Sequence, residues 1–247
     1  MRTHNLCSSS IVLFILMILL THAPALAQSA GTLTWNGSRS SSWDYKWNWT
    51  PNAIPTANHA VVIPDKATTT FYPIIPASAI CYSISISSGG RLHAQSRGKL
   101  VLAGTGIIWS SDENSTINLV DSEIVFGVDG NEQVCAISGY PTFFNLTVGS
   151  STNCAIKSNS HIKIQGDFIL KSSSIFNASS ETNTIEFIGY GQSIPTPNGG
   201  SSGYYSLRIS GSGAMFPLGV TRCVNLEVGL EGDVIVPAGT GLTVTGS

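Results

Sequence analysis

The stretch "FFNLTVGSSTNCAIKSNSHIKIQGDFIL" (143–170) decides the fold. It holds two short apolar alternations, Leu146 with Val148 and Ile162 with Ile164, separated by small and polar residues. Alternation at period two gives a short strand with one face turned inward. The same unit recurs on both sides. Upstream lie Ile84 and Ile86, Leu100 and Leu102, and Ile117 and Leu119; downstream lie Ile185 and Phe187, Leu207 and Ile209, Leu226 and Val228, and Leu242 and Val244. No comparable stretch carries the helical period with helix caps.

Longer matches join these units. "FFNLTV" (143–148) aligns with "YYSLRI" (204–209), "IKIQGDFIL" (162–170) with "VTRCVNLEV" (220–228), and "TIEFIG" (184–189) with "GLTVTG" (241–246), all at offsets near sixty; a weaker copy spans 81–104. The offsets predict a repeating block of several turns of a coil, with the clearest units at 143–189 and 204–246. At ~20 to 25 residues per turn, residues 60–247 make about eight turns. Short strands with Gly, Ser and Asn corners favour a parallel β-helix, an all-β β-solenoid. The alternative is a β-sandwich, whose strands are longer and often joined by hairpins. Hairpin dipeptides stand at Asn36-Gly37 and Asp129-Gly130 but not between most strand pairs. The Gly-rich turns "SSGG" (87–90) and "SGSG" (210–213) lack the lysine and helix of a phosphate loop and read as corners of positive φ.

Composition agrees with a folded all-β chain. Hydrophobic residues make up 42% and charged residues 11%, too apolar for disorder. The chain opens with Arg2, an apolar run from Ile11 to Leu20, and Ala25-Leu26-Ala27, which reads as a signal peptide over 1–27 and predicts export to the cell surface or beyond. The apolar run is too short to span a bilayer, so no membrane span is expected once the signal is removed. Its removal takes away Arg2 and no carboxylate, moving the formal charge from −2 to −3. That balance does not suit a nucleic-acid partner. The remaining cysteines, Cys81, Cys135, Cys154 and Cys223, form no CxxC pair. Export permits disulfides, and a Cys135 to Cys154 bridge would close a loop worth about 3 kcal/mol. The equal alternative is that all four are small buried residues.

Four of the five tryptophans, Trp35, Trp43, Trp47 and Trp49, fall in "TWNGSRSSSWDYKWNW" (34–49). The segment "TWNGSRSSSWDYKWNWTPNAIPTANHAVVIP" (34–64) resembles the N-terminal part of a group of exported bacterial surface proteins, adhesin-like, in which W-x-G, a spaced Trp, N-W, a Pro and V-x-IP precede β-helical repeats. The resemblance implies a right-handed coil on or outside the cell envelope. It also implies a structural or adhesive role without a defined chemical activity. Residues 28–64 are then a Trp-rich N-terminal cap and 65–247 the repeats. A coil exposes its apolar interior at each end, and buried tryptophans cover 150–250 Å² each. The same four residues are the candidate ligand-binding set if their faces are exposed for stacking on glycans.

Other chemistry is sparse. Catalysis on polysaccharides needs acids and bases converging from neighbouring turns. The carboxylates are scattered, with a loose group at Asp112, Glu113, Asp121, Glu123, Asp129 and Glu132. Within it Asp129, Asn131 and Glu132 are calcium candidates that lack the remaining ligands of a recognised loop. His59, His93 and His161 have no nucleophile motif beside them. The expectation is a non-catalytic surface protein with no cofactor. Its partners would be surface glycans, other surface proteins or, through the C-terminal turn, a second copy. The alternative is a carbohydrate-active β-helix enzyme or a sugar-binding module.

Overall fold

The computed structural model describes residues 31–246 other than Ser202; the expected signal peptide, 1–27, lies outside the described residues. The chain winds as a parallel β-solenoid of about eight turns. Each regular turn lays one strand on each of three walls. The first wall is a continuous eight-stranded sheet running, in spatial order, through Trp49–Thr50, Gly31–Trp35, His59–Ile63, Ser83–Ile86, Gly106–Ser111, Gln133–Gly139, Thr152–Ile156 and Ile175–Asn177. The third wall is a five-stranded sheet from Ala79–Cys81 to Phe168–Leu170. Among the described residues all strand ladders are parallel except the first, where Trp35 faces Trp49 in antiparallel register. Parallel neighbours one turn apart replace the hairpins a β-sandwich would need.

Alternation in the sequence becomes stacking in the coil. Leu33, Val61, Ile84, Trp109, Ile137 and Ile156 are register partners in succession along the first wall and are buried. Leu100, Ile124, Leu146 and Phe168 do the same on the third wall, and Ile162, Ile185 and Leu207 on the second, where the next partner, Leu226, is partly buried. Each such row removes apolar surface at about 25 cal/mol per Å² while the ladders satisfy the backbone. The Gly-rich corners take the conformation expected of them, with Gly89 and Gly213 at φ near +70°.

Two expectations about the repeat change. Register partners lie one turn apart, from 19 residues between Gln133 and Thr152 to 29 between Gly106 and Cys135. The sixty-residue alignment is therefore not a structural equivalence. It sets Leu146 of the third wall against Leu207 of the second. Every strand in the coil carries the same inward alternation, so a sequence match lines up strands of different walls as readily as strands of the same one. The boundary at 64/65 also falls inside the stack. Gly31–Trp35 and His59–Ile63 are already paired strands of the first wall, and the capping segment is the excursion between them.

The second wall is the one that breaks. A three-stranded piece, Ile74–Ile75, Arg91–Ala94 and Thr116–Asn118, stops; a six-stranded piece begins at Thr142–Phe143 and continues through His161–Ile164, Thr184–Phe187, Tyr204–Ile209 and Gly219–Val228 to Thr240–Val244. No ladder joins Thr116–Asn118 to Thr142–Phe143, although the first and third walls run unbroken through the same turns.

Candidate functional site

Three of the four clustered tryptophans point inward. Trp35 and Trp43 are 1% exposed and Trp49 0%. Trp49 sits between the other two, edge-on to Trp35 at 4.8 Å and to Trp43 at 4.9 Å between centroids. Two of their indole N–H groups have carbonyl partners: Trp49 donates to the Trp43 carbonyl at 2.8 Å and Trp35 to the Phe71 carbonyl at 2.7 Å. These faces have no room for a sugar. Trp47 differs, being 46% exposed with the Lys46 ammonium 5.2 Å above its ring.

The residue that ties this excursion down is Asn48, which is fully buried. Its Oδ1 accepts from the backbone N–H groups of Arg39 and Ser40, and its Nδ2 donates to the Ser40 hydroxyl and the Ser42 carbonyl. Its carbonyl accepts from the N–H groups of Asn36 and Gly37. Nothing in the sequence pattern singles it out, because an amide buried by its own hydrogen bonds has no hydrophobic period.

The other candidates separate. Asp129 is spent on the Lys171 ammonium and on the Ser150 hydroxyl and N–H, and Asn131 lies in the adjoining turn. Glu132 is exposed, and no group of three metal-ligating side chains gathers among the described residues. Cys135 and Cys154 do come together as register partners on adjacent turns, but as free buried thiols. The Cys135 thiol beside it and burial both raise the Cys154 pKa, and burial pushes the Cys81 thiol up. Buried and inward, the four act as small core residues.

The break in the second wall opens a groove of about 420 Å³. One side is formed by Glu113, Ser115, Thr116 and Ile117, the other by Tyr140, Thr142, His161 and Lys163. Tyr140 is held there by its backbone. Gly139 takes φ +96°, and a Cβ on it would lie 1.8 Å from the Ser111 carbonyl oxygen, so only glycine makes this approach. The Tyr140 N–H then donates to the Ser111 hydroxyl, which also accepts from the Trp109 indole behind it. The phenol is left 44% exposed.

His161 is fixed from the far side. Its Nε2–H donates at 2.7 Å to Glu186, a nearly buried carboxylate that also accepts from the Ser210 hydroxyl. Glu186 lies in the outward row Lys163, Glu186, Arg208 and Glu227, one charge per turn with signs alternating. Lys163 approaches it at 3.9 Å and Arg208 at 3.5 Å. Burial raises the Glu186 pKa, but bonds from Ser210 and His161 and the nearby Lys163 charge outweigh it and hold the carboxyl below its usual value. In the sequence His161 has no nucleophile motif beside it and Tyr140 stands outside every apolar alternation. The one local signal was an aromatic set between Gly139 and Pro141.

Residues 34–123 match a family described as a domain of unknown function, DUF8693. That span takes in the tryptophan excursion and ends at Glu123, so it includes Glu113 to Ile117 of the groove but not Tyr140, His161 or Lys163. Neither the curated proteins nor the solved structures provide a match to the chain.

Proposed function

We propose that the chain is an exported surface protein with a structural and adhesive role. The observation that carries this reading is the stacking of outward side chains into straight polar rows. Ser85, Ser110 and Ser138 follow one another on the first wall, and Thr184, Ser206 and Asn225 on the second. A parallel coil repeats such groups at the strand spacing of about 4.8 Å, giving a stiff face suited to many weak contacts. The likeness of residues 34–64 to adhesin-like surface proteins and the signal-like residues 1–27 support the same reading. Among the described residues no helix is long and apolar enough to cross a membrane.

The groove supports binding better than cleavage. Hydrolysis of a glycosidic bond commonly uses two carboxyl groups flanking it. One carboxylate, Glu113, lines the groove, while Glu186 is engaged behind it by His161 and Ser210. The reading is tested by antibody labelling of intact producing cells, together with adhesion assays on cells with and without the gene. Surface labelling and reduced adhesion on deletion are expected. Labelling that requires lysis, or unchanged adhesion, would overturn it.

A further inference from the structure

We infer that the groove between the two pieces of the second wall is a binding site for a neutral saccharide. This deepens the adhesive reading and rests on it for the setting, outside the cell, in which such a ligand is met. The volume, about 420 Å³, lies in the range of small-molecule sites. The lining selects the class. Tyr140 offers an exposed ring against which the C–H face of a pyranose packs. Around it stand an acceptor, the Glu113 carboxylate, a donor, the Lys163 ammonium, and groups that can do either, the His161 imidazole and the hydroxyls of Ser115, Thr116 and Thr142.

An apolar ligand would leave these groups buried without partners, at a cost in affinity. A ligand carrying only negative charge would meet Glu113. A sugar hydroxyl both donates and accepts, so a ring of them can satisfy a wall that mixes ammonium, carboxylate and hydroxyl groups.

Pre-organisation points the same way. Gly139 and Ser111 set the Tyr140 backbone, and Glu186 holds one nitrogen of His161, whose other nitrogen has no partner among the described residues. A wall already fixed loses less conformational entropy when it takes a ligand.

The test is a glycan array of neutral and acidic oligosaccharides probed with the secreted protein, followed by calorimetric titration of the best ligand. Tyr140→Ala is expected to weaken binding about tenfold, the scale of one lost aromatic contact. Lys163→Met is a second, independent loss, and Trp47→Ala leaves binding unchanged. Thermal melts of each variant verify folding. Three results would overturn the inference: no neutral glycan bound at millimolar concentration, binding confined to acidic glycans, or binding lost with Trp47→Ala and kept with Tyr140→Ala. If the groove binds nothing while deletion of the gene still reduces adhesion, the groove inference fails and the adhesive reading stands.

Discussion

The tryptophan excursion and the groove are both places where the regular winding is interrupted, and the two interruptions are filled in opposite ways. At the excursion three of the four indole rings turn inward and the N–H groups of Trp35 and Trp49 find carbonyls; Asn48 uses both ends of its amide, and little is left over for a ligand. At the groove the ring of Tyr140 turns outward, and Lys163 and the second nitrogen of His161 remain available. The inward arrangement contributes stability because the polar groups it buries at Trp35, Asn48 and Trp49 are partnered. The outward one leaves hydrogen-bonding capacity for another molecule, at little cost because water serves in the meantime.

Breaking the inward arrangement should have the largest effect. Trp49 touches both Trp35 and Trp43, so Trp49→Ala should lower the unfolding free energy by about 3 to 5 kcal/mol, the scale of emptying an aromatic core site. Denaturant titration of the purified protein measures this. A loss below about 1 kcal/mol would mean that the excursion is not packed as described. Next comes Asn48→Ala, which deprives the Arg39 and Ser40 N–H groups of their acceptor at an expected cost of about 1 to 3 kcal/mol. Asn48→Asp sharpens the comparison. It keeps the acceptor but loses the donors to Ser40 and Ser42 and buries a charge, so it should be no better tolerated than alanine.

What was legible in the sequence follows the same division. The alternation of Leu146 with Val148 or Ile162 with Ile164 reports directly which side chains point inward, and the strands follow from it; the parallel coil follows from their shortness and from the scarcity of hairpin dipeptides between them. The need to cover an end of the coil predicts burial for all four clustered tryptophans, whereas Trp35, Trp43 and Trp49 are buried and Trp47 is not. Trp47 could not be separated from them, because its exposure depends on how the 3-10 turn at Lys46–Asn48 is oriented. The groove was invisible because it arises from a ladder that fails to form between Asn118 and Thr142. A missing pairing leaves the alternation on either side intact. The related feature, 28 residues between the partners Trp109 and Ile137, requires the register to be known first.

A smaller effect distinguishes the buried hub behind the groove from the one in the excursion. Asn48 is neutral at every pH, whereas Glu186 is a carboxyl held below its usual pKa. Such a group stabilises the fold above its unfolded value, near 4.3, and that contribution is lost as pH falls through the lower folded value. Glu123 acts in the same direction: burial raises its pKa, and Lys99 and Thr147 more than offset this. Glu186→Gln should therefore cost about 1 kcal/mol at neutral pH, because Lys163 and Arg208 are half-exposed and screened. The gap from the parent protein should narrow below about pH 4. Urea titrations at neutral pH and at about pH 3.5 measure both, and a gap that stays constant would show that the carboxylate charge is not what matters.

The smallest effects are expected at the two exposed rings, and they test the division between inward and outward most directly. Tyr140 is anchored by its N–H on Ser111, and the Trp47 carbonyl accepts from the Ser38 hydroxyl; both anchors belong to the backbone and survive replacement by alanine. Trp47→Ala removes an exposed contact with Lys46 worth about 0.5 kcal/mol, and Tyr140→Ala removes a ring that is nearly half in water. Each should change stability by no more than about 0.5 kcal/mol, as surface substitutions usually do. Thermal melts and urea titrations of the two variants beside Trp49→Ala provide the measurement. If Trp47→Ala melts as early as Trp49→Ala, the fourth tryptophan belongs to the packed cluster after all. If Tyr140→Ala does, the phenol supports the coil and is not held out for a ligand, and the contrast between excursion and groove disappears.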